Sequence, residues 1–400
     1  MINKAQLKIK GSFIMLLFTI LIFTGCSAGE KTVADRSEIQ SSKPELSGET
    51  EESETMETGT EESETEDIKE ANNGSKRVES EEELFYKKLA EGEAVNILIV
   101  GDSIGLGSGA SGTEERWTVL LSEYLKEKYG SEVTLTNLSM GGNSSYAGYV
   151  RTMTLDDDIE YDAAIICYGH NDSKKTFSLH YESIIRALRY KYPAASLISI
   201  LESSQKEYNA KMQMIEELAE HYEIPLADTI APFQNRHEEL TVDDVHPNDA
   251  GHRIYAETVE NVIDEKTENL PSYHSKNIEP VNEEVSIFDS FKWYGADEFE
   301  RNGNSYSLKT NIIGKVLGLD YSLFSGDNNC KILVDGKEFV EREISFDYDF
   351  NERFIVIVNE DWNENPFIVK NEIEIVFSDD ESGREQADGF MGIAVSGIRE

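Results

Sequence analysis

Between residues 94 and 266 the sequence alternates short apolar runs with longer segments whose apolar residues have helical spacing. The runs AVNILIV and YDAAIICYG are almost continuously apolar, as strands buried on both faces of a parallel sheet are. Between them, EERWTVLLSEYLKEKYG has the apolar spacing of one helix face and stops at Gly130. The alternation predicts a three-layer α/β/α sandwich with a mostly parallel sheet over residues 84–268.

The first apolar run leads directly into Gly101, Asp102 and Ser103, and a loop rich in glycine and serine follows. Ligands of open parallel sheets bind beyond the carboxyl ends of the strands. Ser103 is therefore placed where a catalytic side chain would lie. An ordinary strand-to-helix turn is the alternative interpretation of these three residues alone.

Three further loops carry side chains that would complete a nucleophilic site around Ser103. His246 could accept the serine proton, and Asp243 in the same loop could fix the imidazole tautomer. The Ser103 N–H, the Gly142 N–H and the Asn171 amide could stabilise an oxyanion. Each loop alone also fits a turn or a helix cap, but the four together favour catalysis.

The blocks GDSI, SMGGNSS, GHND and DDVHPN follow one another in the order found in the SGNH hydrolases, or GDSL esterases. From about residue 94 to 266 the chain resembles that family, which implies a flavodoxin-like fold and ester hydrolysis without a cofactor or metal. The resemblance implies Ser103 as nucleophile, Asp243 and His246 as the rest of the triad, and Gly142 and Asn171 as oxyanion donors. The sequence departs from the family in having Gly-Gly where Ser-Gly is common, and Ile where Leu is common after the serine.

A metal site is the alternative function for the acidic and histidine residues near the end of this segment. Asp244, His246 and His252 do not have the spacing of a familiar ligand set, so we predict no metal. We expect His170 to line the pocket and His252 to face solvent or pack on the closing helix. Cys167 and Cys330 are predicted to be buried inert thiols.

Residues 1–26 have the pattern of a lipoprotein signal peptide. Lysines precede an apolar run from Phe13 to Phe23, which is short for a membrane span, and small residues precede Cys26. This resembles the bacterial lipobox, which implies lipidation of Cys26 and an extracytoplasmic, membrane-anchored protein. A plain signal peptide or an uncleaved anchor is the alternative.

Residues 27–83 are predicted to be a disordered acidic linker. From Glu30 to Glu83 there are 19 Asp and Glu against 6 Lys and Arg, and there is no aromatic residue. Such a segment buries too little apolar surface to offset its ordering entropy. The net charge of the whole chain, −41, excludes nucleic acid as an expected partner.

Residues 285–400 are predicted to form a β-sandwich, because short strand-like runs alternate with turn signals such as Asp335-Gly336. Its aromatic residues are more simply explained as core, and a glycan-stacking surface is the alternative. The residues considered for that surface are Trp293, Tyr294, Tyr321 and Trp362.

The sequence thus predicts a cell-surface serine esterase that hydrolyses O-acyl esters, with O-acetyl favoured, through an acyl-enzyme. Its expected partners are an acylated carbohydrate and the membrane that holds the lipid anchor. The alternatives are an acyltransferase with the same triad, a lipase or thioesterase, and a non-catalytic glycan-binding lipoprotein.

Overall fold

The protein is described from a computed structural model. The structure describes residues 84–398, apart from 157, 272–277, 283–289, 360, 361 and 363. The signal peptide, Cys26 and the acidic linker lie outside the described residues and stay predictions. No helix in the described part of the chain is long and apolar enough to span a bilayer.

The amino-terminal half of the described chain is built on a five-stranded, entirely parallel sheet. Its strands are β1 (Val95–Gly101), β2 (Val133–Asn137), β3 (Ala163–Cys167), β4 (Ser196–Leu201) and β5 (Leu226–Asp228). Their spatial order is β2-β1-β3-β4-β5, so β1 and β3 are neighbours near the centre. Strands β3 and β4 are buried throughout, which explains why their sequences are continuously apolar.

Helices cover both faces of this sheet. They are α1 (Leu84–Glu91), α2 (Ser103–Leu106), α3 (Trp117–Tyr129), α4 (Ser145–Thr154), α5 (Phe177–Lys191), α6 (Ala210–His221), α7 (Ile230–Phe233), α8 (His237–Leu240) and α9 (Asp249–Glu268). Successive residues of β1 point to opposite faces, so Leu98 and Val100 pack with α4, α5 and α6, whereas Ile97 and Ile99 pack with α1, α3 and α9. The predicted three-layer α/β sandwich is confirmed.

The carboxyl-terminal half is an antiparallel β domain, as predicted. Its elements are β6 (Phe291–Gly295), β7 (Glu300–Asn302), β8 (Ser305–Leu308), β9 (Ile312–Gly314), β10 (Val316–Val334), β11 (Lys337–Ile357), β12 (Phe367–Val369), β13 (Ile373–Phe377), α10 (Glu381–Asp388) and β14 (Gly392–Ser396). Seven strands form one sheet, and β9 pairs with β12 in a second. The predicted turn at Asp335-Gly336, both at positive φ, joins the long strands β10 and β11. Helix α10 was not expected, because Ala387 is the one apolar side chain in its sequence, ESGREQAD.

The β domain shares a hydrophobic core with the α/β domain. Val316, Ile355, Trp362 and Ala394 belong to the same buried cluster as α4 and α5. The Trp362 ring lies 6.2 Å from the ring of His180 on α5. The two domains therefore bury apolar surface against each other rather than being joined only by a linker.

The aromatic residues considered as a glycan surface are mostly core residues. Tyr294, Tyr321 and Trp362 are buried, and Trp293 is half-buried in the shared core. The core interpretation is confirmed for the three buried rings. Cys167 and Cys330 are buried free thiols, as expected.

Trp362→Ala tests the shared core. We expect the free energy of unfolding to fall by about 3–5 kcal/mol, because a buried indole leaves a cavity. Urea unfolding followed by circular dichroism measures this. The control is Tyr190→Ala, at a ring that is 80% exposed, which should change stability by less than about 0.5 kcal/mol. A Trp362→Ala effect as small as the control's would contradict the packing described here.

Candidate active site

Ser103 lies at the carboxyl end of β1, as the first residue of the short helix α2. The Asp102 side chain caps this helix by accepting a hydrogen bond from the Ile104 N–H at 2.9 Å. The Trp117 indole then donates to the Ile104 carbonyl at 2.9 Å. The backbone on the carboxyl side of Ser103 is thus held by two buried hydrogen bonds.

The structure brings Ser103, His246 and Asp243 into one hydrogen-bonded relay. His246 Nε2 lies 2.9 Å from Ser103 Oγ, and His246 Nδ1 lies 2.8 Å from Asp243 Oδ2. With Nδ1 protonated toward Asp243, Nε2 is the acceptor that faces the serine hydroxyl. This is the geometry a general base needs in order to take the proton of a serine nucleophile.

Hydrogen bonds to the backbone organise the loop that carries His246. Asp243 Oδ1 accepts hydrogen bonds from the backbone N–H groups of Val245 and His246, both at 2.7 Å. Partial burial acts to raise the pKa of Asp243, but the hydrogen bonds from the His246 ring and these N–H groups outweigh it and lower the pKa. The carboxylate therefore stays ionised beside the imidazole at neutral pH.

Two backbone N–H groups near Ser103 are available to an oxyanion. Within the described residues, neither the Ser103 N–H nor the Gly142 N–H has a hydrogen-bond acceptor. Gly142 has a φ of +69°, and a Cβ there would lie 2.5 Å from Cζ of Phe354. Only glycine fits this position, since both the backbone angle and the contact exclude a larger residue.

Asn171 lies beside the Gly142 loop, but its amide is engaged. Its Nδ2 donates to Asp102 Oδ2 and to the Asn143 carbonyl, each at 3.2 Å. Both bonds are longer than the usual 2.9–3.0 Å. The amide can therefore share a proton with an incoming oxyanion, while the two existing bonds hold it next to the loop.

Three buried carboxyl groups lie next to the loops that carry Ser103 and Asn171. Burial, and then the charge of Glu202, raises the pKa of Asp102 well above its ordinary value. Burial raises the pKa of Asp172 to about 6. Burial, and then the charge of Asp172, raises the pKa of Glu202 to about 7. The Lys211 ammonium is in the same region, and burial lowers its pKa.

Lys211 and Asp172 fix the loop that carries Asn171. Lys211 Nζ donates to the carbonyl groups of Gly169, His170 and Asp172. Asp172 Oδ1 accepts from the Ser145 N–H at 2.9 Å, at the start of α4. The Asn171 loop is thereby joined both to α6 and to the helix that follows the Gly142 loop.

Two further histidines near the site, His170 and His252, are uncharged at neutral pH. Burial, and then the nearby Lys211 charge, lowers the pKa of His170 to about 4. His252 is fully buried, and burial lowers its pKa to about 4. Of the two alternatives expected for His252, exposure to solvent is excluded, because the ring on the closing helix α9 is buried and its Nε2 lies 3.2 Å from the Ser108 carbonyl. Within the described residues, no group of three His, Cys, Asp or Glu side chains could hold a metal.

The sequence did not identify Asn143 or Lys211 as residues of this region. Asn143 is part of SMGGNSS, where it is indistinguishable from a turn residue. Lys211 is an ordinary lysine in the first turn of α6, and its partners lie about 40 positions earlier. Only the folded chain shows that both residues hydrogen-bond the loops of the site.

Glu202→Gln tests the burial of the carboxyl cluster. Since the folded-state pKa of Glu202 is raised to about 7, the wild type loses stability as pH rises from about 4.5 through 7. The glutamine variant does not have this loss, so its stability relative to wild type should increase by roughly 3 kcal/mol over that range. Urea unfolding at pH 4.5 and pH 8 measures the difference. The control is Glu217→Gln, at an exposed position on α6. If the stability of Glu202→Gln relative to wild type does not change with pH, the raised pKa of Glu202 is wrong.

Comparison with known proteins agrees with the fold and the motifs. Residues 99–254 match the model of the GDSL-like Lipase/Acylhydrolase family. No curated protein sequence matches the chain.

Two solved structures have a similar fold over most of the chain. One is a two-domain esterase (CEX) active on acetylated mannans, co-crystallised with mannopentaose. Its sequence is 20% identical, the match covers 78% of this chain and 94% of the esterase chain, and the TM-score is 0.62. The other is a two-domain esterase (CEX) active on acetylated mannans; it is 19% identical, covers 78% of this chain and 93% of its own, and has a TM-score of 0.58. The α/β domain thus carries the GDSL-like acylhydrolase pattern from residue 99 to 254, and the chain has the fold of a two-domain esterase.

Proposed function

We propose that this protein is a serine esterase that acts through an acyl-enzyme on Ser103. The observation that carries the proposal is the relay from Ser103 through His246 to Asp243, with contacts of 2.9 and 2.8 Å. Two unengaged backbone N–H groups lie at the loops beside it. A nucleophile, a base, an orienting carboxylate and oxyanion donors are the complete set that acyl transfer requires.

In the acylation step, Ser103 Oγ attacks the ester carbonyl carbon while His246 Nε2 takes the hydroxyl proton. The Ser103 and Gly142 N–H groups, with the Asn171 amide, stabilise the oxyanion that forms; losing one such donor commonly costs about 3 kcal/mol of transition-state stabilisation. The protonated His246 gives its proton to the leaving alcohol as the carbon–oxygen bond breaks. Water then enters and its oxygen attacks the acyl carbon while His246 takes one of its protons. The bond between the acyl carbon and Ser103 Oγ breaks, His246 returns the proton to Ser103, and the acid is released.

The substrate we propose is an O-acetyl ester on an uncharged polysaccharide. The support is the fold shared over 78% of the chain with an esterase active on acetylated mannans. The net charge of −41 adds a physical argument, because it repels acidic polysaccharides.

The site of action we propose is the outer face of a membrane, with the chain anchored by lipid at Cys26. The support is the sequence pattern of residues 1–26. We propose the acidic segment that follows as the linker between the lipid anchor and the enzyme.

Ser103→Ala tests the proposed function. Removal of the nucleophile should lower the hydrolysis of p-nitrophenyl acetate and the release of acetate from acetylated mannan by at least about a thousandfold. Product analysis by chromatography measures both reactions. Ser108→Ala, in the same loop but outside the relay, is the matched control and should retain activity.

Activity that survives Ser103→Ala would contradict the assignment of the nucleophile. Activity on p-nitrophenyl acetate without release of acetate from acetylated mannan would support the esterase assignment and exclude acetylated mannan as a substrate. Acetyl transfer to an added sugar in place of water would identify an acyltransferase.

A further inference from the structure

The β domain contacts the loop that carries the Gly142 oxyanion donor. Asn143 follows Gly142 and is 1% exposed. Its Nδ2 donates to the Gly141 carbonyl at 2.9 Å and to the Arg353 carbonyl on β11 at 3.0 Å. Its Oδ1 accepts from the Ile355 N–H of the same strand at 3.2 Å. The side chain therefore uses both amide protons and its oxygen to join the loop to β11.

The Gly142 peptide lies between this amide and an aromatic ring of the β domain. Phe354, between the two backbone partners of Asn143, occupies the space where a Cβ of Gly142 would be. Three successive residues of β11, 353–355, thus contact residues 142 and 143 of the loop. The direction of the Gly142 N–H is set from both sides of the peptide.

The segment of β11 that makes these contacts is itself anchored within the β domain. Arg353 donates through Nε and Nη2 to the two carboxylate oxygens of Asp320, at 2.7 and 2.5 Å. Asp320 is 1% exposed, and it is paired in register with Ile355 across β10 and β11. A bidentate, buried pair of this kind has strong directional preference, so it keeps residues 353–355 in one position.

Asn143 also contacts Asn171, another of the proposed oxyanion donors. Its backbone carbonyl accepts a hydrogen bond from Asn171 Nδ2 at 3.2 Å. A shift of residue 143 would therefore move the Gly142 N–H and the Asn171 amide together.

We propose that Asn143 is a positioning residue for the reaction, and that through it the β domain is a structural part of the oxyanion hole. This inference rests on the proposed esterase function. Asn143 does not contact the reacting atoms. It holds the Gly142 N–H at the distance from the developing oxyanion, about 2.7–3.1 Å, at which a donor is effective.

The expected signature is a loss of kcat with little change in KM. Oxyanion donors act mainly in the transition state, so a displaced donor slows the chemical step more than it weakens substrate binding. Misplacement by about 1 Å can cost a factor of 100. A purely structural role for Asn143 would lower stability and leave kcat per folded molecule unchanged.

The test measures kcat and KM for p-nitrophenyl acetate hydrolysis by the full-length wild type, Asn143→Ala and Asn143→Asp. The temperature is kept well below the thermal unfolding midpoint of each protein. Alanine removes all three side-chain bonds. Aspartate keeps the size and an acceptor for Ile355, but it places oxygen against the carbonyl groups of Gly141 and Arg353. We expect both variants to lose about 10- to 100-fold in kcat, with KM within about twofold of wild type. If one variant fails to fold, the other decides.

The matched control is Asn359→Ala. Asn359 is also buried, and its amide also joins two backbone groups, the Leu317 N–H and the Lys315 carbonyl, but both lie within the β domain. This control should lower the unfolding midpoint while leaving kcat within about twofold. Wild-type kcat in folded Asn143 variants, or an equal loss in the control, would overturn the proposal.

Ser103→Ala distinguishes failure of the esterase assignment from failure of the positioning role. If that variant is inactive and the folded Asn143 variants keep the wild-type kcat, the esterase assignment stands and the positioning role is wrong. If Ser103→Ala remains active, the proposed function is wrong, and the positioning role fails with it.

Discussion

The hydrogen bond between Ser103 and His246 connects two loops that are 143 positions apart in the chain. It forms because β1 places Ser103 at the carboxyl edge of the sheet, while α9 begins just after His246 and packs against the same domain. Neither residue has this partner in an unfolded chain. The proposed chemistry therefore depends on the folded α/β sandwich, which brings the two loops together.

The second half of the proposed site depends on buried polar groups. Gly142 and Asn171, two of the three proposed oxyanion donors, lie on irregular loops, which have no ladder of backbone hydrogen bonds to fix them. Lys211, Asp172 and Asn143 supply those bonds instead, from α6, from the Asn171 loop itself and toward β11. Burying such groups is costly, and the hydrogen bonds they form here are the ones that hold the loops, although Asp172 Oδ2 has no partner among the described residues.

The sequence predicted the parts of this molecule that follow from local patterns. Continuous apolar runs predicted β1 and β3, and the order of the loops predicted that Ser103, Asp243 and His246 would meet. Helix α4 was not predicted, because Ser145 to Thr154 is rich in residues with weak helix preference and is stabilised by tertiary packing.

The contacts between domains could not be read from the sequence. Asn143 and Ile355 are 212 positions apart, and neither belongs to a motif that implies the other.

Labelling of the full chain with a fluorophosphonate, followed by peptide mass spectrometry, tests whether Ser103 is the nucleophile. A single adduct, on Ser103, is expected. No adduct, or an adduct on another residue, would contradict it.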